Sequence, residues 1–325
     1  MFLDEHGERI TDPEVLDRLR DLAIPPAWQD VWICSDPLGH LQATGVDAAG
    51  RKQYLYHPRW REHRDRQKFE RVLKFGAGLP RVRRQLKADL RDGEPTHEAV
   101  LACAVRLLDI GMFRIGSEQY ADEEGGIGLA TIRKEHVSVH GPEIEFDYLA
   151  KGGLRRRVRI SDALTRELLV RLRRRRGGAP ELLVHREGRR WVPVRSDEIN
   201  EYIKSKLGEE FTAKDFRTWN ATVMAAVSVA AESQGETSKT ARKRVIDKAT
   251  RAVAELLGNT PAVARRAYID PRVFDRYLSG WTITGVLAEA ADLDPADDQR
   301  RQRVERGVLD LLADNTDSPA VERVK

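Results

Sequence analysis

Four basic or amide side chains and one tyrosine in the second, helical part of the sequence are the residues best suited to chemistry. They are Arg114 in Met-Phe-Arg-Ile-Gly, Lys151 beside Gly152-Gly153, Arg217 in Lys-Asp-Phe-Arg-Thr, Asn259 in Leu-Gly-Asn-Thr-Pro and Tyr268 in Arg-Arg-Ala-Tyr. Guanidinium groups stay charged at any working pH and present forked donors that match phosphate oxygens. A tyrosine hydroxyl can act as a covalent nucleophile. Residues of these types are compatible with chemistry on a phosphate group.

Motifs of other catalytic classes are missing from the sequence. There is no Gly-x4-Gly-Lys-Ser/Thr phosphate loop and no Gly-x-Ser-x-Gly elbow, and Gly125–Gly128 is too loosely placed to be a dinucleotide fingerprint. His136 and His140 are four residues apart, but their surroundings predict a strand, so we do not expect them to share a metal. The sequence therefore predicts neither nucleotide-driven nor metal-dependent chemistry, and no cofactor.

The order and the local signatures of the five residues resemble the catalytic set of type IB DNA topoisomerases and of their relatives, the tyrosine recombinases. Gly-Arg-Lys-Gln-Tyr-Leu-Tyr at 50–56 and Lys-Asp-Phe-Arg-Thr at 214–218 are similar specifically to the compact poxvirus-like and bacterial topoisomerases. Each residue alone would be an ordinary helix tyrosine, salt-bridge arginine or turn lysine. Agreement of all five in order makes coincidence implausible.

The resemblance implies a role for each of the four residues that match the family pattern. Tyr268 attacks phosphorus, which gives a 3′-phosphotyrosyl link and a free 5′-hydroxyl. Arg114 and Arg217 compensate the charge of the pentacoordinate transition state, which no Mg²⁺ is expected to neutralise. Lys151 is the general acid for the leaving alkoxide. Because the phosphotyrosyl link conserves the energy of the broken backbone bond, rejoining needs no ATP.

Two positions bear on the branch of the family. Asn259 stands where many members have His; it cannot titrate, so the position is expected to need a hydrogen-bond donor rather than a proton shuttle. Lys214 stands three residues before Arg217, where tyrosine recombinases commonly carry His. We expect Lys214 to contact DNA at the scissile phosphate or its neighbour, with a surface salt bridge to Asp215 as the alternative.

The N-terminal segment at 51–56 predicts DNA binding. Gln53, Tyr54 and Tyr56 lie on an expected strand, with both tyrosines on one face, and such side chains can reach base edges or sugars. Arg51 and Lys52 are expected to hold phosphates. In isolation a Tyr-x-Tyr strand is more often a packing feature.

An α+β fold of two domains is expected to position these residues. Residues 1–92 predict a small β-rich DNA-binding domain with helices from Trp60 to Phe75 and from Leu79 to Leu90, and the turn formers at 93–96 mark the boundary. Residues 93–325 predict a mainly helical catalytic domain. The two domains are expected to form a clamp around duplex DNA.

Within the catalytic domain, helical periodicity predicts helices at 96–112, 161–176, 197–207, 212–232, 238–257 and 261–277. A short sheet is expected at 136–140, 144–151 and 154–160, with Gly152-Gly153 as a hairpin turn. From Leu293 onward the pattern predicts a peripheral amphipathic helix, and the last ten residues are expected to be disordered.

Composition and charge agree with a DNA-binding protein. Charged residues make up 33% of the 325 residues, and clustered arginines permit a polyanionic partner although the net charge is only +4. Two cysteines exclude a disulfide framework, and an acidic N-terminus without long apolar runs predicts a cytoplasmic, nucleoid-associated protein with no membrane partner. We expect a monomeric topoisomerase acting on duplex DNA. A tyrosine recombinase and a catalytically silent DNA-binding protein remain the alternatives.

Overall fold

The computed structural model describes residues 2–116, 126–233, 238–289 and 297–324. The chain divides into two compact units, Met1–Glu70 and Arg71–Lys325. The division lies inside a long helix, whereas the sequence placed the domain boundary near residue 92. The turn formers there do end this helix, but its second half packs into the larger unit through buried residues such as Phe75 and Leu79.

The smaller unit contains a three-stranded antiparallel sheet. Its elements are α1 (Pro13–Asp21), β1 (Gln29–Ile33), β2 (Leu41–Val46) and β3 (Lys52–Tyr56), and the strands pair in the order β1-β2-β3. The strands confirm the predicted β-rich character of this region. Helix α1 was not predicted; Asp12 caps it by accepting hydrogen bonds from the backbone N–H groups of Glu14 and Val15.

Helix α2 (Pro58–Asp89) is continuous, whereas the sequence predicted two helices at 60–75 and 79–90. The prediction was wrong: Gly76 and Gly78 lie between the two segments and Pro80 lies at the start of the second, and both residue types commonly interrupt helices. In the larger unit, Gly76 allows the ring of Trp219 to approach the helix. A Cβ atom at Gly76 would lie 2.6 Å from that ring. Close packing against a fully buried tryptophan therefore keeps this stretch helical.

The larger unit is mainly helical, as predicted. Beyond α2, its helices are α3 (His97–Gly111), α4 (Ala163–Arg174), α5 (Ser196–Leu207), α6 (Ala213–Glu232), α7 (Lys239–Leu257), α8 (Pro261–Ala267), α9 (Arg272–Leu278), α10 (Thr284–Glu289) and α11 (Asp298–Leu312). Five of the six predicted helices correspond to α3 to α7, with ends within two residues. Helix α6 lies at the centre, packed against α3, α7, α9, α10 and α11.

Within the described residues, three short antiparallel sheets accompany these helices. The strands are β4 (Val137–His140), β5 (Glu143–Ala150), β6 (Leu154–Ile160), β7 (Val184–Glu187), β8 (Arg190–Pro193), β9 (Trp281–Thr282) and β10 (Glu322–Arg323). The predicted hairpin between β5 and β6 is confirmed, and its turn uses Gly152 and Gly153 at φ of 79° and 70°. The hairpin of β7 and β8 was not predicted. Overall, the chain has the predicted α+β composition.

The single helix predicted at 261–277 is wrong, because α8 ends at Ala267 and α9 begins at Arg272. Pro271 separates them: proline lacks a backbone N–H and disfavours helical geometry in the residue before it. The carboxylate of Asp270 then accepts from the Arg272 N–H at 3.0 Å and supports the start of α9. The break leaves Tyr268 outside both helices.

The C-terminal part of the chain differs from the prediction in two ways. Helix α11 is not peripheral: Val308 and Leu311 are buried, and Glu305 forms a buried ion pair with Arg83 of α2. The last ten residues were expected to be disordered, but β10 pairs with β9 as far as Arg323. Residues 293–296 of the predicted helix lie outside the described residues.

Candidate active site

Arg217 is held between the ends of two helices. Its Nη1 donates to the carbonyl of Met112, the C-cap of α3, and its Nη2 donates at 2.9 Å to the carbonyl of Leu257, the last residue of α7. The final carbonyls of a helix have no partner inside it and carry partial negative charge. A guanidinium satisfies both ends at once, which explains how a 3% exposed arginine is stabilised here.

Arg114 reaches the same helix end from the segment after α3. Its Nη2 donates to the carbonyl of Gly258 at 3.0 Å and to Oδ1 of Asn259 at 2.6 Å. Gly258 has the left-handed conformation, φ 60°, that ends α7 and turns the chain toward Asn259. The turn that ends α7 thus also positions the amide of Asn259 beside Arg114.

Tyr268 follows α8 directly and is half-buried. Its backbone N–H donates to Ala264 at 3.1 Å, and its carbonyl accepts from the Thr222 hydroxyl of α6 at 3.3 Å. The centre of its ring lies 5.3 Å from Cζ of Arg217. The structure therefore brings four of the five predicted catalytic side chains together: Arg114, Arg217, Asn259 and Tyr268.

Two hydrogen-bond donors at this site have no partner among the described residues. They are Nδ2 of Asn259 and Nε of Arg217, and both atoms are buried. Leaving a buried donor unsatisfied costs about 1–3 kcal/mol, so such groups call for an explanation. A ligand that presents oxygen acceptors would satisfy them.

Lys151 lies on the exposed turn between β5 and β6. Its backbone is so close to Gly126 that a Cβ atom there would lie 2.7 Å from Cα of Lys151. The following residues link the turn to Arg114: the Ile127 N–H donates to Leu149 at 2.9 Å, and the Leu129 N–H donates to Arg114 at 2.8 Å. Backbone hydrogen bonds thus connect the turn that carries Lys151 to Arg114.

Arg156 and Tyr148, which were not predicted as site residues, lie opposite each other on β6 and β5. Burial raises the pKa of Tyr148, and the positive charges of Arg156, Arg217 and Arg114 oppose this. Burial lowers the pKa of Arg217; the Tyr268 hydroxyl opposes that effect, and the charges of Arg114 and Arg156 add to it. Arg217 nevertheless stays charged at neutral pH, because a guanidinium ordinarily titrates far above it.

The three guanidiniums have no acidic partner among the described residues. In the part of the chain that the structure describes, no carboxylate forms a salt bridge with Arg114, Arg156 or Arg217. Buried charges in proteins are normally paired. The site is therefore suited to an anionic ligand.

Lys214 is exposed on the first turn of α6, three residues before Arg217. The alternative reading as a salt bridge with Asp215 is wrong. Asp215 is buried, pairs with Arg71 at 2.9 Å and accepts from the backbone N–H of Thr212 at 2.9 Å. Lys214 thus remains open to solvent, which permits but does not test the predicted phosphate contact.

In the smaller unit, β3 presents the predicted aromatic face. Tyr54 and Tyr56 are exposed on one side with ring centres 6.3 Å apart, and Nζ of Lys52 lies 5.9 Å from the ring centre of Tyr54. Gln53 faces the other side and donates to Asp47 at 2.9 Å; Arg51 binds the same carboxylate. Lys52, Tyr54 and Tyr56 are therefore the predicted DNA contacts of this segment that are exposed and do not bind Asp47.

The described residues offer no group of three or more His, Cys, Asp or Glu that could hold a metal ion. No helix in these parts of the chain is long and apolar enough to cross a membrane.

Comparison with known families decides between the interpretations. Residues 57–279 match the family model described as "Eukaryotic DNA topoisomerase I, catalytic core", and residues 1–47 match "Bacterial DNA topoisomerase IB, N-terminal domain". The chain belongs to the type IB DNA topoisomerase family. The matched core contains all five predicted catalytic positions, so the predicted family and enzyme class are confirmed.

Individual relatives agree with a compact topoisomerase. The chain is 27% identical over 270 residues to DNA topoisomerase 1B of Acanthamoeba polyphaga mimivirus, which covers 82% of this chain and 80% of the relative. It is 19% identical to DNA topoisomerase 1B of Vaccinia virus (strain Copenhagen), covering 81% of this chain and 82% of the viral protein. The similarity to mitochondrial DNA topoisomerase I of Rattus norvegicus covers 62% of this topoisomerase but only 34% of the rat protein, at 25% identity.

Proposed function

We propose that this topoisomerase relaxes supercoiled duplex DNA by cutting and rejoining one strand, with Tyr268 as the nucleophile and without ATP or metal. The observation that carries the proposal is that Tyr268 lies beside a positively charged site that no carboxylate of the described residues neutralises. Its ring lies 5.3 Å from the Arg217 guanidinium, which no described carboxylate neutralises. A phosphodiester is the anion that this chemistry requires.

Cleavage begins when the Tyr268 hydroxyl gives its proton to solvent and its oxygen attacks phosphorus. The new P–O bond to tyrosine forms as the bond to the 5′-oxygen breaks, leaving a 3′-phosphotyrosyl ester and a 5′-hydroxyl. Extra negative charge on the nonbridging oxygens of the transition state is stabilised by Arg114 and Arg217, whose donors are fixed in advance by helix-end carbonyls. Arginine suits this task because its fork matches two oxygens at once.

The unpartnered Nδ2 of Asn259 completes the oxygen-binding set in this proposal. It donates a hydrogen bond without changing its protonation state, so an amide can replace the imidazole that many relatives carry.

Lys151 supplies the proton to the leaving 5′-oxygen. Lys151 is exposed on a glycine turn, so its side chain can enter a groove of the DNA. Its ammonium group can then act as the general acid. Rejoining reverses every step: the 5′-hydroxyl attacks the phosphotyrosyl ester, Lys151 takes its proton back, and Tyr268 leaves as a phenolate that regains a proton from solvent.

The smaller unit contributes DNA binding through the exposed face of Lys52, Tyr54 and Tyr56, and Lys214 contributes a phosphate contact from the larger unit. We propose that both units bind the same duplex as a clamp and that one chain suffices, because the catalytic residues lie on a single chain. Between cutting and rejoining, the free end rotates about the intact strand and supercoils are lost.

Covalent trapping tests the proposed link. A suicide duplex, labelled on the strand to be cut, is incubated with the protein and quenched with denaturant. A protein–DNA adduct through the 3′ end of the label is expected with native protein and is absent with Tyr268→Phe. An adduct through a 5′ phosphate, or one that persists in Tyr268→Phe, would refute the assignment.

A further inference from the structure

The arginines of β6 divide into two faces. Arg155, Arg157 and Arg159 are exposed, and each pairs with a carboxylate of β5: Arg155 with Asp147 at 2.7 Å, Arg157 with Asp147 at 3.0 Å and Arg159 with Glu145 at 2.6 Å. Successive side chains of a strand point to opposite faces. This outer face is a charge-balanced, solvated surface.

Arg156 lies on the other face of β6, with Val158 and the buried Ile160. It is half-buried and opposite Tyr148, and no carboxylate of the described residues forms a salt bridge with it. A cation without a counter-ion on the core-facing side of a strand is unusual, because burying a charge is costly unless it is paired.

The Arg156 guanidinium reaches the turn that also holds the two predicted catalytic arginines. Its Nη1 lies 3.0 Å from the position that a Cβ atom on Gly258 would occupy. Arg114 donates to the carbonyl of Gly258, and Arg217 donates to that of Leu257. Three guanidiniums from three separate elements thus converge on two consecutive residues.

We infer that Arg156 is a third phosphate-binding guanidinium of the cleavage site, in contact with an oxygen of the scissile phosphate or of the phosphate next to it. This inference rests on the proposed function and adds a residue to its machinery. Three like charges around one turn repel each other, so the arrangement favours binding of an anion over the empty site. The lowered pKa of Arg217, to which burial and the charges of Arg114 and Arg156 contribute, agrees with this closeness.

The test compares single-turnover cleavage by Arg156→Ala, Arg156→Lys and a matched control, Arg157→Ala, at saturating DNA. Arg157 is the next residue of the strand, but its side chain lies on the ion-paired outer face. Arg156→Ala is expected to slow cleavage by about 10²-fold, in the range of a lost transition-state donor. Arg156→Lys is expected to be intermediate, because it keeps the charge and loses the fork, and Arg157→Ala is expected to match the native rate.

Substrates with a neutral methylphosphonate locate the contact. If Arg156 binds the scissile phosphate, the defect of Arg156→Ala shrinks when the methyl group replaces an oxygen there; if it binds the neighbouring phosphate, the defect shrinks only with substitution at that position. A native rate for Arg156→Ala, or the same defect on every substrate, overturns the inference. Arg156→Gln replaces the alanine variant if far-UV circular dichroism shows misfolding. Failure of the native protein itself to cleave would instead refute the proposed function.

Discussion

Nη2 of Arg114 donates to Oδ1 of Asn259 at 2.6 Å. A guanidinium has no acceptor, so the contact fixes which end of the Asn259 amide is oxygen. Nδ2 is then the donor that points away from Arg114. That donor is buried and has no partner in the described part of the chain. One hydrogen bond thus orders both the cation and the amide before any ligand arrives.

Substitution of Asn259 tests this arrangement. Asn259→Ala removes the free donor, and we expect single-turnover cleavage to slow by about 10²–10³-fold, as for other lost oxyanion donors. Asn259→His keeps a donor and is expected to lose far less. Equal rates for the alanine variant and the native protein would show that this amide does not contact the transition state.

Lys151 is predicted to matter only for the leaving group. Lys151→Ala should slow cleavage of an ordinary phosphodiester by about 10²–10⁴-fold, the usual contribution of general acid–base catalysis. With sulfur at the bridging 5′ position the leaving thiolate needs no proton, so most of the loss should disappear. The control is Asn259→Ala, whose defect should persist on the sulfur substrate. A Lys151→Ala defect of equal size on both substrates would exclude the general-acid role.

The exposed face of β3 predicts how binding depends on salt. Each phosphate contact contributes about 0.9 to the slope of log affinity against log salt. Lys52→Ala should therefore lower the magnitude of that slope by about 0.9, whereas Arg51→Ala should change it less, because Asp47 already binds Arg51. Affinity titrations between low and moderate salt measure the slopes of both variants. Identical slopes would contradict the assignment of Lys52, rather than Arg51, as the phosphate contact.

The buried ion network at α3 predicts an acid-sensitive fold. Burial by itself raises the pKa of Asp109, but the charges and hydrogen bonds of Arg301 and Arg83 outweigh this and hold the pKa far below its ordinary value. A depressed carboxylate pKa contributes stability above the unfolded pKa of about 3.9, and the contribution is lost as pH falls below it.

Asp109→Asn should therefore lower the free energy of unfolding at pH 7 by about 3–5 kcal/mol, since it leaves buried arginines with less compensation. The difference in free energy of unfolding between Asp109→Asn and the native protein should narrow by about 1 kcal/mol as the pH falls from 7 to 3. Urea unfolding at both pH values measures this difference, with Asp317→Asn, at an exposed carboxylate, as a control. If the difference in free energy of unfolding between the two proteins stays constant or widens in acid, the pKa of Asp109 is not depressed in the folded state.

Much of the site could be predicted because its residue types are demanded by chemistry. A phosphoryl transfer without metal requires guanidiniums, a nucleophile and an acid, and the order of Arg114, Lys151, Arg217 and Tyr268 already indicated them. The geometry of Tyr268 could not be predicted from periodicity, since the apolar pattern at 261–277 continues across a break that Pro271 causes. The proline was the signal that could have revealed it.

Arg156 was missed for a different reason. In the sequence it stands inside a basic run, and the run as a whole resembles a solvated face; only the pairing of β6 with β5 assigns alternate arginines to opposite sides. The two-residue period of the predicted hairpin, counted back from Ile160, would have placed Arg156 on the inner face. Continuity of α2, in contrast, depends on Trp219 packing at Gly76, a contact of distant residues that no local pattern encodes.

The most direct test of the account is relaxation of a supercoiled plasmid in EDTA without ATP, comparing the native protein with Tyr268→Phe. The account predicts that the native protein relaxes the plasmid completely, while the phenylalanine variant binds DNA but leaves it supercoiled. A native protein that binds and never relaxes the plasmid under these conditions, or a phenylalanine variant that still relaxes it, would contradict the metal-free tyrosine mechanism.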